Sequence, residues 1–252
     1  MPDKVATLCG FHAVGAALMG NGVKELYFDA RRLDRRMRDL LTEAKRVGLV
    51  PQALSKSDLD QLASGTRHQG VVAIGEIHNP RTGLVHYLNS LRETPLVLVL
   101  DGLQDPGNLG GCLRNAAAAD VDAVLIPRNQ GCGLTPAVVR VAAGGATFVP
   151  VFEEGNWGPL LEAMKARGLW LIGSDENASD DLYHIDLTGP LALVVGSEDR
   201  GLRQLTRRRC DQLARIPTAS TVRSLNVATA AGIALFEALR QRHHNLPSGH
   251  CI

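Results

Sequence analysis

The sequence predicts an α/β fold: a parallel sheet flanked by helices on both faces, preceded by a smaller α/β unit. Three observations carry this. From residue 96 onward, short apolar runs alternate regularly with helical segments, the pattern of βα units feeding a parallel sheet. Those runs, such as Leu191-Ala192-Leu193-Val194-Val195-Gly196, are apolar throughout, as in strands covered on both faces. Ahead of them residues 1–76 carry a compact alternation of their own, and the pattern weakens between residues 77 and 95, where Asn79-Pro80 and Pro95 break structure. With 252 residues, 45% of them hydrophobic, the chain can build two cores.

In the first unit the spacing predicts a helix over 12–19, stopped by Gly20-Asn21-Gly22, and then a strand over 23–28. A longer helix follows. Its stripe is Leu33, Met37, Leu40, Leu41, Ala44 and Val47, which leaves Arg31, Arg32, Arg35 and Arg36 off the apolar face. A strand over 50–54 leads to Ser55, an N-cap with Asp58 three residues on, and 70–77 is strand again. Residues 77–95 read as a linker with a short amphipathic piece at 84–91. In the second unit strands are expected at 96–100, 123–126, 148–151, 169–172 and 191–196, with another ending at Ile216-Pro217. Helices are expected at 109–118, 136–142, 158–167 and 227–240, and residues 243–252 read as a polar tail.

Charge and cysteine content exclude several classes. Lys plus Arg number 27 against 26 Asp plus Glu, so a nucleic-acid partner would have to be met by local clusters. The arginines at 31–38 and 207–209 are such clusters, although as residues alone they read as solvated faces. The five cysteines show no metal-ligand or redox spacing, which predicts reduced thiols and no metal site. No apolar run approaches the roughly 20 residues of a membrane span, and the amino terminus has no signal-peptide pattern. A cytoplasmic protein is expected.

Chemistry-bearing residues gather where strands end. The glycine-rich turn Asp101 to Gly111 can present backbone N–H groups to an anion, yet lacks both G-x-G-x-x-G and a P-loop lysine. Asn108 there can be a helix N-cap or a ligand group. Arg114, on the following helix, can lean back toward the turn and meet a phosphate, or form a surface ion pair. Glu198 directly follows a buried strand and must be solvated, paired or functional. Ser224 and Asn226 both precede the last helix; one cap suffices, so one polar group is left over. These residues alone indicate an α/β ligand-binding enzyme and no definite reaction.

In combination they say more. Asp105-Pro106-Gly107-Asn108-Leu109-Gly110 with Arg114, then Leu193-Val194-Val195-Gly196-Ser197-Glu198, then Ile216-Pro217 with Ser224-Leu225-Asn226-Val227, resemble in order the three motifs of the SpoU (TrmH) family of the SPOUT class. These are S-adenosylmethionine-dependent RNA ribose 2′-O-methyltransferases. Gly10-Phe11-His12-Ala13-Val14 and Arg67-His68-Gln69-Gly70-Val71 resemble the ribosomal-protein-like (L30e-like) RNA-binding domain that precedes the family's large-subunit rRNA guanosine enzymes.

The resemblance implies a SPOUT domain over 96–252 with a deep trefoil knot, an RNA-binding domain over 1–76, and a homodimer with 23S rRNA as partner. It makes Asn108, Arg114, Glu198, Ser224 and Asn226 the catalytic and substrate-orienting set. Backbone around Gly196, Ile216 and Leu225 would hold the methyl donor. A guanidinium stays protonated at ordinary pH, so Arg114 is better read as a phosphate clamp than as the proton acceptor. Asp199 stands where the family commonly has glycine, which would strain a positive-φ loop, and Thr218 replaces a usual methionine. A tRNA or antibiotic-resistance enzyme of the same family, and a non-catalytic ribosome-assembly factor, are the competing readings.

Overall fold

The structure is a computed structural model and describes residues 5–20, 22–76, 83–91, 94–219 and 224–244. Its first sheet is built from β1 (Val5–Cys9), α1 (Phe11–Met19), β2 (Val23–Asp29), α2 (Arg35–Arg46), β3 (Gln52–Leu54), α3 (Lys56–Leu62) and β4 (Val71–Glu76). The strand order is β1-β4-β2-β3, with β4 antiparallel to both neighbours and β3 parallel to β2. The sequence reading missed β1, whose two inward residues Ala6 and Leu8 are too few to stand out as an alternation. Asp34 caps α2 through the Met37 amide, and Met37, Leu40 and Ala44 are buried as the stripe predicts. Leu33 lies ahead of the helix and is 54% exposed. Ser55 caps α3 as expected, its hydroxyl accepting from the Asp58 amide at 3.2 Å, while the same hydroxyl donates to the Asp58 carboxylate at 2.7 Å.

The amphipathic piece of the expected linker is helix α4 (Leu84–Asn89), whose Leu84 and Leu88 are buried in the core of the second sheet. Then follow β5 (Leu96–Asp101), α5 (Pro106–Ala118), β6 (Ala123–Pro127), α6 (Pro136–Val141), α7 (Gly145–Phe148), β7 (Val151–Glu154), α8 (Trp157–Ala166), β8 (Trp170–Ser174), β9 (Asp180–Asp181), β10 (Leu191–Gly196), α9 (Gln204–Arg209), β11 (Gln212–Arg215) and α10 (Val227–His244). All pairings in this sheet are parallel, in the order β7-β6-β5-β10-β8-β11-β9. Helices α5, α6 and α10 cover one face, and α4 and α8 the other. Every residue of β5, β6 and β10 is buried, as apolar runs covered on both faces require, and the burial extends to Asp101 at the end of β5.

One expected strand is displaced. The pattern predicts a strand over 148–151, whereas the chain turns through Ala143 and Gly144 at φ 50 and 95, makes the single turn α7, and enters β7 only at Val151. The Thr147 hydroxyl donates to the Gly144 carbonyl at 2.7 Å and holds that turn against the local strand preference. Helix α10 also runs beyond the expected residue 240. Gln241 bonds both the Leu187 amide and the Ile185 carbonyl, and Arg242 donates to the carbonyls of Leu187 and Gly189, so its end is tied down. The remainder of the expected polar tail, 245–252, lies outside the described residues.

Small residues set the spacings around the site. A Cβ on Gly111 would meet the Ala228 Cβ at 2.9 Å, and one on Gly232 would meet the Asn115 amide at the same distance, so α5 and α10 touch closely. Asn115 completes that contact by donating to the Ala228 carbonyl at 2.8 Å. Helix α7 is wedged likewise: a Cβ on Gly20 would lie 2.4 Å from the Phe148 ring, and one on Gly145 only 3.0 Å from the Arg114 Cα.

Candidate active site

Because β10 lies between β5 and β8, its loop stands beside the loops leaving both, at the carboxyl edge where open α/β sheets bind ligands. The β10 loop is tight: the Ser197 amide donates to Gly201 and the Gly201 amide returns to Ser197, at 3.1 and 2.9 Å. Any Cβ on Gly196 would fall 2.1 Å from the Gly201 carbonyl carbon, so only glycine fits there. The positive φ of this loop, 62°, belongs to Gly201. Asp199 is not among the positive-φ residues, and the strain expected from it does not arise.

The loop's tip carries Glu198 to Asn108. Asp105, with Pro106 behind it in the first turn, is the N-cap of α5 and takes the Asn108 backbone amide at 2.8 Å. That relieves the Asn108 side chain of the capping role the sequence left open. Its amide nitrogen donates to the Glu198 carboxylate, and its oxygen accepts from Asn226 Nδ2 at 2.8 Å. Asn226 in turn caps α10, its oxygen accepting from the Ala228 and Thr229 amides at 3.0 and 3.3 Å. A carboxylate only accepts, so each amide in this chain has one permitted orientation. Residues 90 and 118 positions apart thereby join into one hydrogen-bonded unit.

Beneath this unit lies a cleft of about 340 Å³, lined by the ends of β8 and β10 and the segments after β10 and β11. Gly196, Ile216, Ser224 and Leu225, four of the predicted positions, line it, and so does Glu198. With Asn226 as the cap, Ser224 is the polar group left over, and it is exposed at the cleft. Arg114 stands apart. It is exposed on α5, does not line the cleft, and makes no hydrogen bond or ion pair to another described residue. Its fork is free for an anion arriving from outside.

Four residues were missed as site residues. Asp175 and Arg207 form an ion pair on the cleft wall, and Arg209 pairs with Glu162, which spends two of the three arginines at 207–209 on the fold. Asp101, 1% exposed at the end of β5, accepts from the Arg203 backbone amide at 2.9 Å and pairs with the Arg203 guanidinium. That guanidinium also reaches Gln130 and lies 5.0 Å above the Trp157 ring. A buried carboxylate needs such a partner, and the pair ties the β10 loop to the β5 edge. The signal was legible: Asp101 directly follows an all-apolar strand, as Glu198 nearly does. Burial first, and the Glu198 charge second, push the Cys112 thiol up to about 12, leaving it no role as a nucleophile. Among the described residues no group of three or more His, Cys, Asp or Glu could hold a metal ion.

Comparison with known proteins decides the family. The SpoU rRNA Methylase family matches residues 95–236, and the RNA 2′-O ribose methyltransferase substrate binding family matches residues 7–80. The chain belongs to the SpoU family. It is 44% identical over 237 residues to a 23S rRNA (guanosine-2′-O-)-methyltransferase RlmB of Bordetella pertussis, covering 93% of this chain and 97% of that one. The RlmB of Ralstonia nicotianae is 44% identical over 242 residues, covering 95% and 97%. Among solved structures, the SpoU methyltransferase AviRb from Streptomyces viridochromogenes in complex with AdoMet aligns with a TM-score of 0.74 at 28% identity, over 97% of this chain and 91% of that one. An AdoMet-bound rRNA methyltransferase from Sinorhizobium meliloti aligns at 0.73 and 26%, over 97% and 89%.

Proposed function

We propose that this chain transfers a methyl group from S-adenosylmethionine to the ribose 2′-hydroxyl of a guanosine in 23S rRNA. The observation that carries this reading is the Glu198–Asn108–Asn226 bridge, which joins all three family motifs beside a cleft walled by the second and third. The cleft suits the donor. Its volume falls within the roughly 300–1,000 Å³ of small-molecule sites, and Val195, Ile216 and Leu225 offer an apolar wall for a base. Glu176 and Glu198 offer carboxylates to ribose hydroxyls and to a ligand carrying positive charge, and Arg200 balances a ligand carboxylate.

The donor supplies an electrophilic methyl group on a positively charged sulfur. The protein's own contribution is alignment. Arg114 holds the phosphate beside the target ribose, and its charge favours loss of the 2′-hydroxyl proton. Asn108, Ser224 and Asn226 orient the nucleotide, and Glu198 keeps the β10 loop against α5. Family membership further supports reading residues 96–252 as a SPOUT domain with a deep trefoil knot. On the same ground residues 1–76 are an L30e-like RNA-binding domain, 77–95 a linker, and the enzyme a cytoplasmic homodimer.

The test is methyl transfer from labelled S-adenosylmethionine to 23S rRNA lacking this modification, with the product nucleoside identified by mass spectrometry. A 2′-O-methylguanosine is expected. Binding of the donor and of rRNA without transfer would establish the non-catalytic reading, and transfer to tRNA alone would redirect the substrate.

A further inference from the structure

We infer that Arg36 and His12 form a nucleotide site, which holds the RNA strand next to the ribose presented to Arg114. The inference rests on the reading that this chain acts on rRNA, and adds where the first sheet's helices grip the strand. Arg36 Nη2 lies 3.2 Å from His12 Nε2, and the Arg36 guanidinium lies 4.6 Å over the ring of Phe11. Phe11 is 4% exposed, so the ring is a floor and the guanidinium is the surface. Both Arg36 and His12 are exposed.

The neighbouring arginines differ in their partners. Arg32 also stacks on Phe11, at 4.9 Å, yet its Nη1 donates to the Gln69 carbonyl at 2.5 Å and its Nε pairs with Asp34 at 2.8 Å. Arg35 faces Asp39 at 3.9 Å. The Arg36 guanidinium has no carboxylate partner among the described residues; its neighbours are a ring and an imidazole. Stability does not explain the placement, because Arg35 and Arg36 sit in an opening turn without an acidic residue, against the helix dipole. A planar cation over a ring, with one N–H group at an imidazole and the others without a carboxylate, is what a single-stranded nucleotide needs: the plane stacks on a base and the remaining N–H groups take a phosphate.

The position adds direction. The Ala13 carbonyl oxygen, next to His12, lies 3.1 Å from where a Cβ on Gly144 would be, and a Cβ on Gly145 would lie 3.0 Å from the Arg114 Cα. The turn at 144–145 thus touches the backbone beside His12 on one side and the backbone of Arg114 on the other. On this proposal the strand whose phosphate rests on Arg114 continues past the turn to His12 and Arg36.

The bland alternative is that Arg36 merely shields Phe11 from water with its stem. Methionine at that position keeps the shield and removes the charge. Filter binding of the full chain to a 23S rRNA transcript at several salt concentrations compares Arg36→Met, Arg36→Lys, His12→Gln and the control Arg35→Met, with donor binding followed by calorimetry. Arg36→Met is expected to weaken RNA binding about tenfold and to reduce the log–log salt slope by roughly one. Lysine should restore the slope without the full affinity, because it lacks the plane. His12→Gln should weaken binding, Arg35→Met should stay within about twofold of wild type, and donor binding should be unchanged in all four. The site is overturned if Arg36→Met and Arg35→Met are indistinguishable. Wild-type protein that binds RNA through Arg36 yet transfers no methyl group would overturn the catalytic reading and leave this site standing.

Discussion

Asn108 is where the three motifs meet, since one amide donates to Glu198 and accepts from Asn226. Asn108→Asp keeps the shape and replaces the donor by a second carboxylate, setting like charges against each other across the bridge. Turnover should fall by about 10² to 10³, as on removing one positioned donor, and calorimetry should show weaker donor binding because the β10 loop loses its anchor. Wild-type donor affinity in this variant would show the bridge to be incidental. Arg114 should behave differently. Arg114→Ala removes a charge that touches no cleft residue, so single-turnover rates with saturating RNA should collapse while donor affinity holds. Near-normal turnover would end the phosphate-clamp role. Cys112 ties a residue to stability. Its thiol is raised from 9.0 to about 12 by burial, so the folded state keeps the proton that an unfolded chain would release. This contribution is fully present below pH 9 and is lost as pH rises toward 12. Melting temperature should therefore fall above pH 9, and less steeply in Cys112→Ala, which a pH series of thermal melts will show.

The elements divide into those whose cause is local and those whose cause is not. Strands β5, β6 and β10 were legible because full burial demands uninterrupted apolar runs, and α2 because its stripe and the Asp34 cap agree. Helix α7 was not, since Thr147, Phe148 and Val149 favour strand, and what holds the turn, besides the Thr147–Gly144 hydrogen bond, is contact with Arg114 on one side and Gly20 on the other. The site followed the same rule. Asn108, Glu198 and Asn226 were legible as polar groups at element ends, yet their hydrogen bonds span the chain and no local pattern encodes them. Asp101 and Arg203, 102 positions apart, are the sharper case. Breaking this pair should loosen the β10 loop as an element. Arg203→Met leaves Asp101 buried and unpaired and should cost about 3–5 kcal/mol, seen as a lower urea midpoint together with a raised Kd for the donor. Unchanged donor affinity in a variant that still folds would mean that the loop is held by its own turn alone.

At the scale of the molecule, the first sheet reaches helix α5 through a wedge with no slack. Gly20 and Gly22 at the end of α1 press on Phe148 and Thr147, and Gly145 at the other end of α7 presses on Leu113 and Arg114. Val139 of α6 completes this junction by burying itself in the core of the first sheet. Cores and interfaces packed at this density repack between discrete arrangements and do not deform smoothly. Gly20→Ala should therefore shift the first sheet against the second, since its φ of −86° accepts alanine without strain and the added methyl meets the Phe148 ring at 2.4 Å. The donor cleft lies on other elements, so calorimetric donor binding should stay at the wild-type value. RNA affinity and single-turnover rate should both fall, because the strand can no longer rest on Arg36 and Arg114 together. Phe148→Leu in the same chain removes the clash and should recover most of both, giving a coupling of roughly 0.5–3 kcal/mol in a double-mutant cycle. If Gly20→Ala and Phe148→Leu act additively, the two sheets bind RNA independently and the junction does no more than tether them.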